Sequence, residues 1–377
     1  MKFIYFNQIF IKIITLLCFI KFKFKFNKKT EKQKVLISIS LSRPGRRLLQ
    51  IISHFLYCDY NIYLDISFLR YIKLDMYGRH GTLLKGVYPF SKKISYSIIA
   101  SDNEKFLKDF RQEAVKIFIN FNLFKYINNV AQYDLFYPIV SHKKYLSPII
   151  ESDVLSRVFT SERKIGAIFA GNVENYNQIF PKELFKIYTR DQMFFHILEN
   201  LPENILHKPL CLKSFLDDID SGNLKDKVVL LDTKIFEIPD CKWMKILLNS
   251  NFFIHMGGGI YPYCHNQIES MMAGCIPVTQ FARFFLPPFQ HEKNSLLFNT
   301  LDELTNLLIN IASGKYIQRL ETMRKYLIEY YSNNYSFLSF KNKLSYITEN
   351  NISDSKYHIV IWNKGFFNEL LASKINF

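Results

Sequence analysis

The chain has 377 residues, of which 49% are hydrophobic and 22% are charged, and this composition excludes a disordered or collagen-like protein. Its length is comfortable for two domains. The 49 Lys and Arg residues outnumber the 33 acidic residues, but no basic module with a nucleic-acid-binding motif is visible, so we predict no nucleic-acid partner. The six cysteines form no CxxC pair, which favours free thiols in the cytoplasm.

The chain begins with a basic and apolar segment, residues 1–33. Residues 3–20 are largely apolar, and residues 1–29 contain seven lysines and no acidic residue. As a helix, residues 3–20 would be about 27 Å long, just short of a bilayer core. Three interpretations stay open: a helix in the membrane interface, a marginal spanning anchor, or an extension outside the fold. We expect the first, with the protein peripheral on the inner, anionic face of the cell membrane.

A βαβ unit follows and opens an N-terminal domain over residues 34–150. Residues 34–41 predict a strand, residues 48–57 a helix and residues 60–66 a second strand, which implies a parallel sheet. The loop between the first strand and the helix contains Arg43, Gly45 and Arg46, which we predict to bind an acceptor or a phosphate.

Residues 94–100 predict a further strand of this domain. The sequence Ser-Asp-Asn-Glu at 101–104 predicts a capping box that opens a helix, with an apolar face that continues to Phe118. His54, Asp65, His80 and His142 are candidates for a catalytic or acceptor-binding role in this half, and none of them is singled out as the base.

The second half repeats the alternation of strands and helices. Strands are predicted at 165–170, 228–231, 251–255 and 276–278, and a second capping box is predicted at Thr300–Glu303. We therefore predict an α/β protein with a second domain over residues 151–346 and a C-terminal tail over 347–377. The segment 137–148 is the candidate crossing between the domains, which we expect to face each other across a cleft.

The stretch from Ile254 to Val278 contains the most specific pattern. A strand ends in Gly257, Gly258 and Gly259, which lets a ligand approach backbone N–H groups closely. The next helix begins near His265 and Asn266, and a helix N-terminus favours an anion. Glu269 lies one turn inside that helix, where its carboxylate can accept hydrogen bonds from the hydroxyls of a ribose.

The sequence Glu-Ser-Met-Met-Ala-Gly-Cys-Ile-Pro-Val at 269–278 resembles the Glu-Ala-Met-Ala-x-Gly-x-Pro-Val element of glycosyltransferases with the GT-B fold. Residues 293–298, Lys-Asn-Ser-Leu-Leu-Phe, resemble a following element of the same half. His265-Asn266 and the Cys-Ile-Pro form are closer to the exostosin-like and fucosyltransferase-like branches. The resemblance covers about residues 160–346, and Tyr261 stands where the family commonly has a first Glu.

The resemblance implies two Rossmann-like domains, with a nucleotide-sugar donor bound by the C-terminal one and a saccharide or lipid-linked acceptor bound by the other. It implies that Glu269 contacts the donor ribose and that a strand-end loop approaches the diphosphate. We expect neither a metal nor another cofactor, with helix dipoles and a basic side chain stabilising the leaving diphosphate instead; Arg190, Arg163 and Lys164, in that order, are the candidates. The predicted donor-binding residues are Glu269, Asn266, His265, Gly257, Gly258, Gly259, Gly171, Asn172 and Arg190.

The predicted activity is transfer of a sugar from a nucleotide-sugar to a polysaccharide or glycolipid acceptor. Two alternatives stay open. A nucleotide-sugar epimerase of the same fold would need no acceptor and no membrane attachment. A non-catalytic protein would bind the sugar or nucleotide without turnover.

Overall fold

The computed structural model describes residues 20, 22, 31–40, 45–67, 86–110, 113–121, 135–137, 147–173, 187–257, 264–350 and 357–361. The chain divides into two compact units. Unit 1 contains the described residues between Met1 and Leu146 and those between Phe337 and Phe367, and unit 2 contains those between Ser147 and Ser336.

The secondary structure alternates between strands and helices along most of the chain. The strands are β1 (Lys34–Ser38), β2 (Asn61–Asp65), β3 (Val87–Pro89), β4 (Ile98–Ser101), β5 (Val115–Asn120), β6 (Leu135–Tyr137), β7 (Ile165–Gly171), β8 (Leu206–His207), β9 (Leu224–Asp232), β10 (Ser250–Ile254), β11 (Ile276–Thr279), β12 (Leu296–Leu297) and β13 (Tyr357–Ile361). The helices are α1 (Gly45–Tyr57), α2 (Glu104–Asp109), α3 (Pro148–Arg157), α4 (Arg190–Asn200), α5 (Leu212–Ser221), α6 (Asp240–Leu248), α7 (His265–Met272), α8 (Leu301–Ala312), α9 (Leu320–Asn334) and α10 (Phe337–Glu349).

Unit 1 is built on a sheet with the strand order β3-β2-β1-β4-β5-β13-β6, and its strand pairs are parallel. The chain winds from β1 to β3 in one direction and from β4 onward in the other, so the order reverses between β1 and β4. Helix α1 packs on the sheet because its apolar residues recur at helical spacing. Four of them are almost fully buried in the core: Leu48, Ile51, Ile52 and Phe55.

Unit 2 is built on a second sheet with the order β12-β11-β10-β7-β9-β8, again with parallel pairs. Its order reverses between β7 and β10. All seven residues of β7 are buried, as expected for a central parallel strand that is covered on both faces. The prediction of an α/β protein with two Rossmann-like units is confirmed.

The helix that was predicted from residue 101 to Phe118 is a short helix followed by a strand. Helix α2 ends at Asp109, and Val115–Asn120 forms β5, which pairs with β4 and β13. The apolar residues Val115, Ile117 and Ile119 also fit a two-residue period, and the β-branched run favours the strand. The N-cap of α2 is also not the predicted Ser101: it is Asn103, whose side chain accepts a hydrogen bond from Phe106 N.

The predicted cap at Thr300 is confirmed, with Glu303 N donating to its hydroxyl at 3.1 Å.

The C-terminal part of the chain returns to unit 1. The predicted boundaries put residues 337–346 in the C-terminal domain and 347–377 in a tail. In the structure, α10 packs against α1, and β13 lies between β5 and β6 in the sheet of unit 1. The apolar side of α10, with Phe340, Leu344 and Ile347, belongs to the core of unit 1. The predicted crossing segment at 137–148 lies mostly outside the described residues.

The N-terminal segment is described only at Ile20 and Phe22. Phe22 is 3% exposed and belongs to the hydrophobic core of unit 1, so the segment is not wholly separate from the fold. None of the helices in the described part of the chain combines the length and the apolar character that a membrane span requires.

Candidate functional site

The strand ends of unit 2 bring two predicted loops together. Strand β7 ends at Gly171 and is followed by Asn172, while β10 ends at Ile254 and leads to Gly257. The two strands are parallel neighbours, so their carboxyl ends lie at the same edge of the sheet. The strand order reverses between them, which is where open α/β sheets bind ligands. We call this place the switch edge of unit 2.

Helix α7 starts at the switch edge. Its first residue is His265, and the side-chain amide of Asn266 donates a hydrogen bond to the carbonyl of Ala170 at 2.7 Å. This bond ties the first turn of α7 to the end of β7. The backbone N–H groups of a helix N-terminus favour a negatively charged group.

Arg190 joins the two strand ends. Its Nη1 donates to the carbonyl of Asn172 at 2.8 Å, its Nε donates to the carbonyl of Met256 at 2.9 Å, and its Nη2 donates to the carbonyl of Gly257. Arg190 is the first residue of α4 and is 8% exposed. The guanidinium therefore brings a buried positive charge to the switch edge and also fixes the backbone there.

Gly171 is closely packed against Phe169 and Arg190. A Cβ atom on Gly171 would lie 3.1 Å from Cζ of Phe169 and 3.2 Å from Nη1 of Arg190. Both separations are shorter than ordinary van der Waals contacts, so these side chains would have to move by a few tenths of an ångström to accept a Cβ atom.

Glu269 is completely buried beneath His265. Its Oε2 accepts a hydrogen bond from the indole Nε1 of Trp243 at 2.7 Å, and its Oε1 lies 3.1 Å from Nδ1 of His265. None of the Glu269 side chain is exposed, whereas 39% of the His265 side chain is. Trp243 was not predicted as a site residue, because it lies on α6, 26 positions before Glu269, and no local pattern links the two residues.

Gln267 adds a polar group to the same turn of α7. Its side chain is fully buried, and neither of its amide atoms has a hydrogen-bond partner in the described part of the chain. A buried amide without partners costs free energy, and such a group in a native protein is an indication of a ligand or an ordered water.

Two other candidate cations lie at the amino ends of the strands, on the side of the sheet opposite the switch edge. Arg163 and Lys164 precede β7 and so lie near its amino end, about 20 Å along the strand from Gly171. Arg163 donates to the carbonyls of Val158, Leu247, Ser250 and Ala273. Burial lowers the pKa of its guanidinium. Neither residue could reach a diphosphate bound at the switch edge.

The glycine of the Ala-Gly-Cys-Ile-Pro element has a structural role at that end. Gly274 ends α7 with φ of +73°, and a Cβ there would lie 2.6 Å from Cγ1 of Val158. Arg324 donates to the Gly274 carbonyl at 3.1 Å, which is the favourable position for a cation at a helix C-terminus. Cys275 is buried and its thiol donates to the carbonyl of Leu247, in agreement with a packing role.

Several predicted site residues lie outside the described residues. Gly258 and Gly259 follow Gly257 outside the description, and so does Tyr261. In unit 1, Arg43 also lies outside it, while Gly45 and Arg46 are the first residues of α1. Their assignment to an acceptor or a phosphate stays a prediction.

Unit 1 contains a polar pocket of about 380 Å³ at its own switch edge. It lies beyond the carboxyl ends of β1 and β2, close to the start of α2. The hydroxyl of Ser38 donates to Oδ2 of Asp65 at 3.1 Å, which orients the carboxylate. The lining residues are Ser38, Ile39, Ser40, Asp65, Ile66, Ser67, Asn103 and Phe106. Ser38 and Ser67 were not identified from the sequence. Ser38 lies inside the predicted strand 34–41, of which only residues 34–38 form β1, and Ser67 follows the predicted strand 60–66.

No group of three or more His, Cys, Asp or Glu side chains among the described residues is arranged to hold a metal ion.

No protein-family model matches the sequence, and no curated protein matches it. Solved structures that are similar to this chain include Anabaena HepE in complex with UDP, at 13% identity and a TM-score of 0.45 over 84% of this chain and 100% of that chain. A glycosyltransferase from Rickettsia africae has 10% identity and a TM-score of 0.41, over 86% of this chain and 100% of that chain. A UDP-glucosyltransferase from Polygonum tinctorium has 10% identity and a TM-score of 0.40, over 87% and 100%. The second and third of these structures are named as glycosyltransferases, the class that the motifs at 269–278 and 293–298 resemble. At these TM-scores the similarities assign no role to any residue of this chain.

Proposed function

We propose that this protein is a glycosyltransferase that moves a sugar from a nucleotide-sugar donor, bound by unit 2, to a saccharide or lipid-linked acceptor, bound by unit 1. The observation that supports donor binding is the convergence of three elements at the switch edge of unit 2: the end of β7, the end of β10 and the start of α7.

The chemistry of this edge suits a nucleoside diphosphate. The first turn of α7, where His265 and Asn266 are half-buried, presents a helix N-terminus that favours phosphate. Arg190 places a buried positive charge between the two strand ends. The helix N-terminus and this charge can stabilise a leaving diphosphate without a metal ion, because charge–charge interactions are strong where water is excluded.

The polar pocket of unit 1 is the proposed acceptor site. Its hydroxyl groups can donate hydrogen bonds to the hydroxyls of a sugar and accept them, and its carboxylate can accept them. Phe106 offers an apolar surface for the sugar ring. Asp65 is the group in this pocket that can accept a proton from an attacking acceptor hydroxyl.

We also propose that the basic N-terminal segment binds an anionic membrane surface, which would bring the enzyme to lipid-linked acceptors. Seven lysines in residues 1–29, with no acidic residue, support this.

Calorimetric titration with nucleoside diphosphates tests the donor site. Glu269→Ala should lower the affinity at least about tenfold, since it removes the acceptor on which the hydrogen bonds of this turn depend. The matched control is Glu151→Ala in the same unit, where another buried carboxylate accepts a hydrogen bond from the hydroxyl of Tyr331 at 2.7 Å. Unchanged nucleotide binding in folded Glu269→Ala protein would contradict the donor site.

Incubation with nucleotide-sugars separates the alternatives. A transferase should release free nucleoside diphosphate, slowly with water and faster with an acceptor. Formation of an isomeric nucleotide-sugar would instead identify an epimerase. Binding without either product would identify a non-catalytic binding protein.

A further inference from the structure

Glu269 lies where the sequence motif puts a ribose-binding carboxylate, yet a ligand has no access to it. The side chain is 0% exposed, and each carboxylate oxygen already has a donor close by: Nε1 of Trp243 at 2.7 Å and Nδ1 of His265 at 3.1 Å. The imidazole covers the carboxylate and is itself 39% exposed. Of this pair, therefore, only the imidazole presents a surface to a molecule at the switch edge.

The buried carboxylate determines how the imidazole is presented. An ionised carboxylate only accepts hydrogen bonds, so the short Nδ1 contact requires a hydrogen on Nδ1. In the neutral ring, the other nitrogen, Nε2, is then an acceptor. The indole N–H of Trp243 holds the opposite oxygen, which prevents the carboxylate from rotating away from His265.

We propose that Glu269 is a positioning residue that acts through His265, and that Nε2 of His265 accepts a hydrogen bond from a ribose hydroxyl of the donor. This inference rests on the proposed function, because it requires a nucleotide at the switch edge. It moves the ribose contact from the carboxylate to the imidazole and gives Trp243 a supporting role.

The protonation of the His265 ring is the first test, and it needs no ligand. Nitrogen chemical shifts of ¹⁵N-labelled histidine should show hydrogen on Nδ1 in the native protein. In Glu269→Gln, the amide oxygen must accept from Trp243, which turns the amide N–H₂ toward His265. The ring should then accept at Nδ1 and carry its hydrogen on Nε2. Glu151→Gln, a buried glutamate elsewhere in unit 2, should leave the His265 signals unchanged. A ring with hydrogen on Nε2 in the native protein, or no change in Glu269→Gln, would overturn the positioning role.

Ribose recognition is the second test. UDP and 2′,3′-dideoxy-UDP are titrated against the native protein and His265→Phe, in which a ring still covers the carboxylate but has no nitrogen; GDP and its dideoxy form replace them if the native protein prefers guanine. We expect His265→Phe to bind the ribonucleotide about tenfold more weakly and to distinguish the two nucleotides less than twofold. A variant that keeps the full discrimination would overturn the contact.

A double-mutant cycle separates the indirect role from a direct one. Glu269→Ala should weaken UDP binding strongly in the native background and less than about twofold in the His265→Phe background, because the same contact is lost only once. Equal losses in both backgrounds would mean that Glu269 acts independently of His265 and would overturn the positioning role. If the native protein binds neither UDP nor GDP, the proposed function and the ribose contact fail together, whereas the nitrogen shifts still decide whether Glu269 orients His265.

Discussion

Asp65 is the carboxylate of the unit 1 pocket, at the end of β2, and it receives a hydrogen bond from Ser38 at the end of β1. The two residues lie at corresponding positions of two neighbouring parallel strands, where Ser38 is paired with Asp65 in the register. The pairing holds the carboxylate at the edge of the sheet, where an acceptor hydroxyl could reach it.

Asp65→Asn should leave nucleotide binding in unit 2 unchanged and should slow transfer to an acceptor by about a hundredfold or more, because an amide does not accept a proton. The measurement is product formation with acceptor present, compared with the slow release of nucleoside diphosphate in water. Asp59→Asn is a control, since Asp59 lies in the same unit on an exposed turn next to Lys32. Full transfer activity in Asp65→Asn would remove this residue from the proposed chemistry.

Helices α1 and α10 meet at a buried histidine. His54 of α1 stacks on Phe337 of α10 with ring centroids 4.3 Å apart, and its Nδ1 donates to the carbonyl of Gln50 at 2.8 Å. Burial lowers the pKa of His54 from 6.5 to about 4, and the hydrogen bond to Gln50 opposes this only in part. The neutral ring is thus part of the contact that joins the C-terminal helix to unit 1.

The stability of unit 1 should therefore depend on pH. Between pH 6.5 and pH 4 the unfolded chain binds a proton at His54 that the folded protein does not, so the free energy of unfolding should fall by about 3 kcal/mol as the pH is lowered through this range. Above pH 6.5 the ring is neutral in both states and contributes no pH dependence. Urea unfolding at several pH values measures this, and His54→Phe, which keeps an aromatic ring, should remove most of the slope. An unchanged slope in that variant would show that other groups cause it.

At the scale of the whole molecule, the N-terminal segment has a proposed membrane role and a packing role, and a deletion can confuse the two. Its lysines and apolar residues are the proposed membrane contact, whereas Phe22 belongs to the core of unit 1. Removing residues 1–30 deletes both, and loss of a buried Phe side chain costs about 3–5 kcal/mol. A deletion that ends at residue 19 keeps Phe22 and separates the two effects.

Sedimentation with anionic lipid vesicles tests the attachment. Deletion of residues 1–19 should remove the salt-independent part of binding, and replacing Lys21, Lys23, Lys25, Lys28 and Lys29 by Gln should remove most of the salt-dependent part, at about 1 kcal/mol for each lysine near the surface. Both variants should bind nucleotides as the native chain does. Phe22→Ala is the control, with lowered thermal stability and unchanged vesicle binding.

Two outcomes would contradict the proposed attachment. If a variant that combines the deletion with the five lysine substitutions still sediments with vesicles, the folded units carry the attachment. If the native protein does not sediment at low salt, the segment is a passive extension.

Local sequence patterns are sufficient for much of this fold and for the position of the candidate donor site. Alternating apolar strands and helices predicted the two parallel sheets, because hydrophobic periodicity and turn residues can be recognised within short stretches of the chain. Glycines and polar residues that follow β7 and β10 predicted one site, since the carboxyl ends of parallel strands meet at one edge. Val115–Asn120 shows where this reasoning stops: its apolar residues fit a helix as well as a strand, and only its pairing with β4 and β13 decides between them.

Only the tertiary structure decided what the site residues touch. Arg190 reaches carbonyls up to 67 positions away, and Trp243 reaches Glu269 across 26 positions. Such partners depend on how whole helices pack against the sheet, and no local period encodes that packing. The same holds for Phe22, α10 and β13, which complete the core and sheet of unit 1 from the two ends of the chain. The sequence by itself determined many of the strands and helices and the edge at which a ligand is proposed to bind. Packing between distant elements decided which side chains are accessible at that edge.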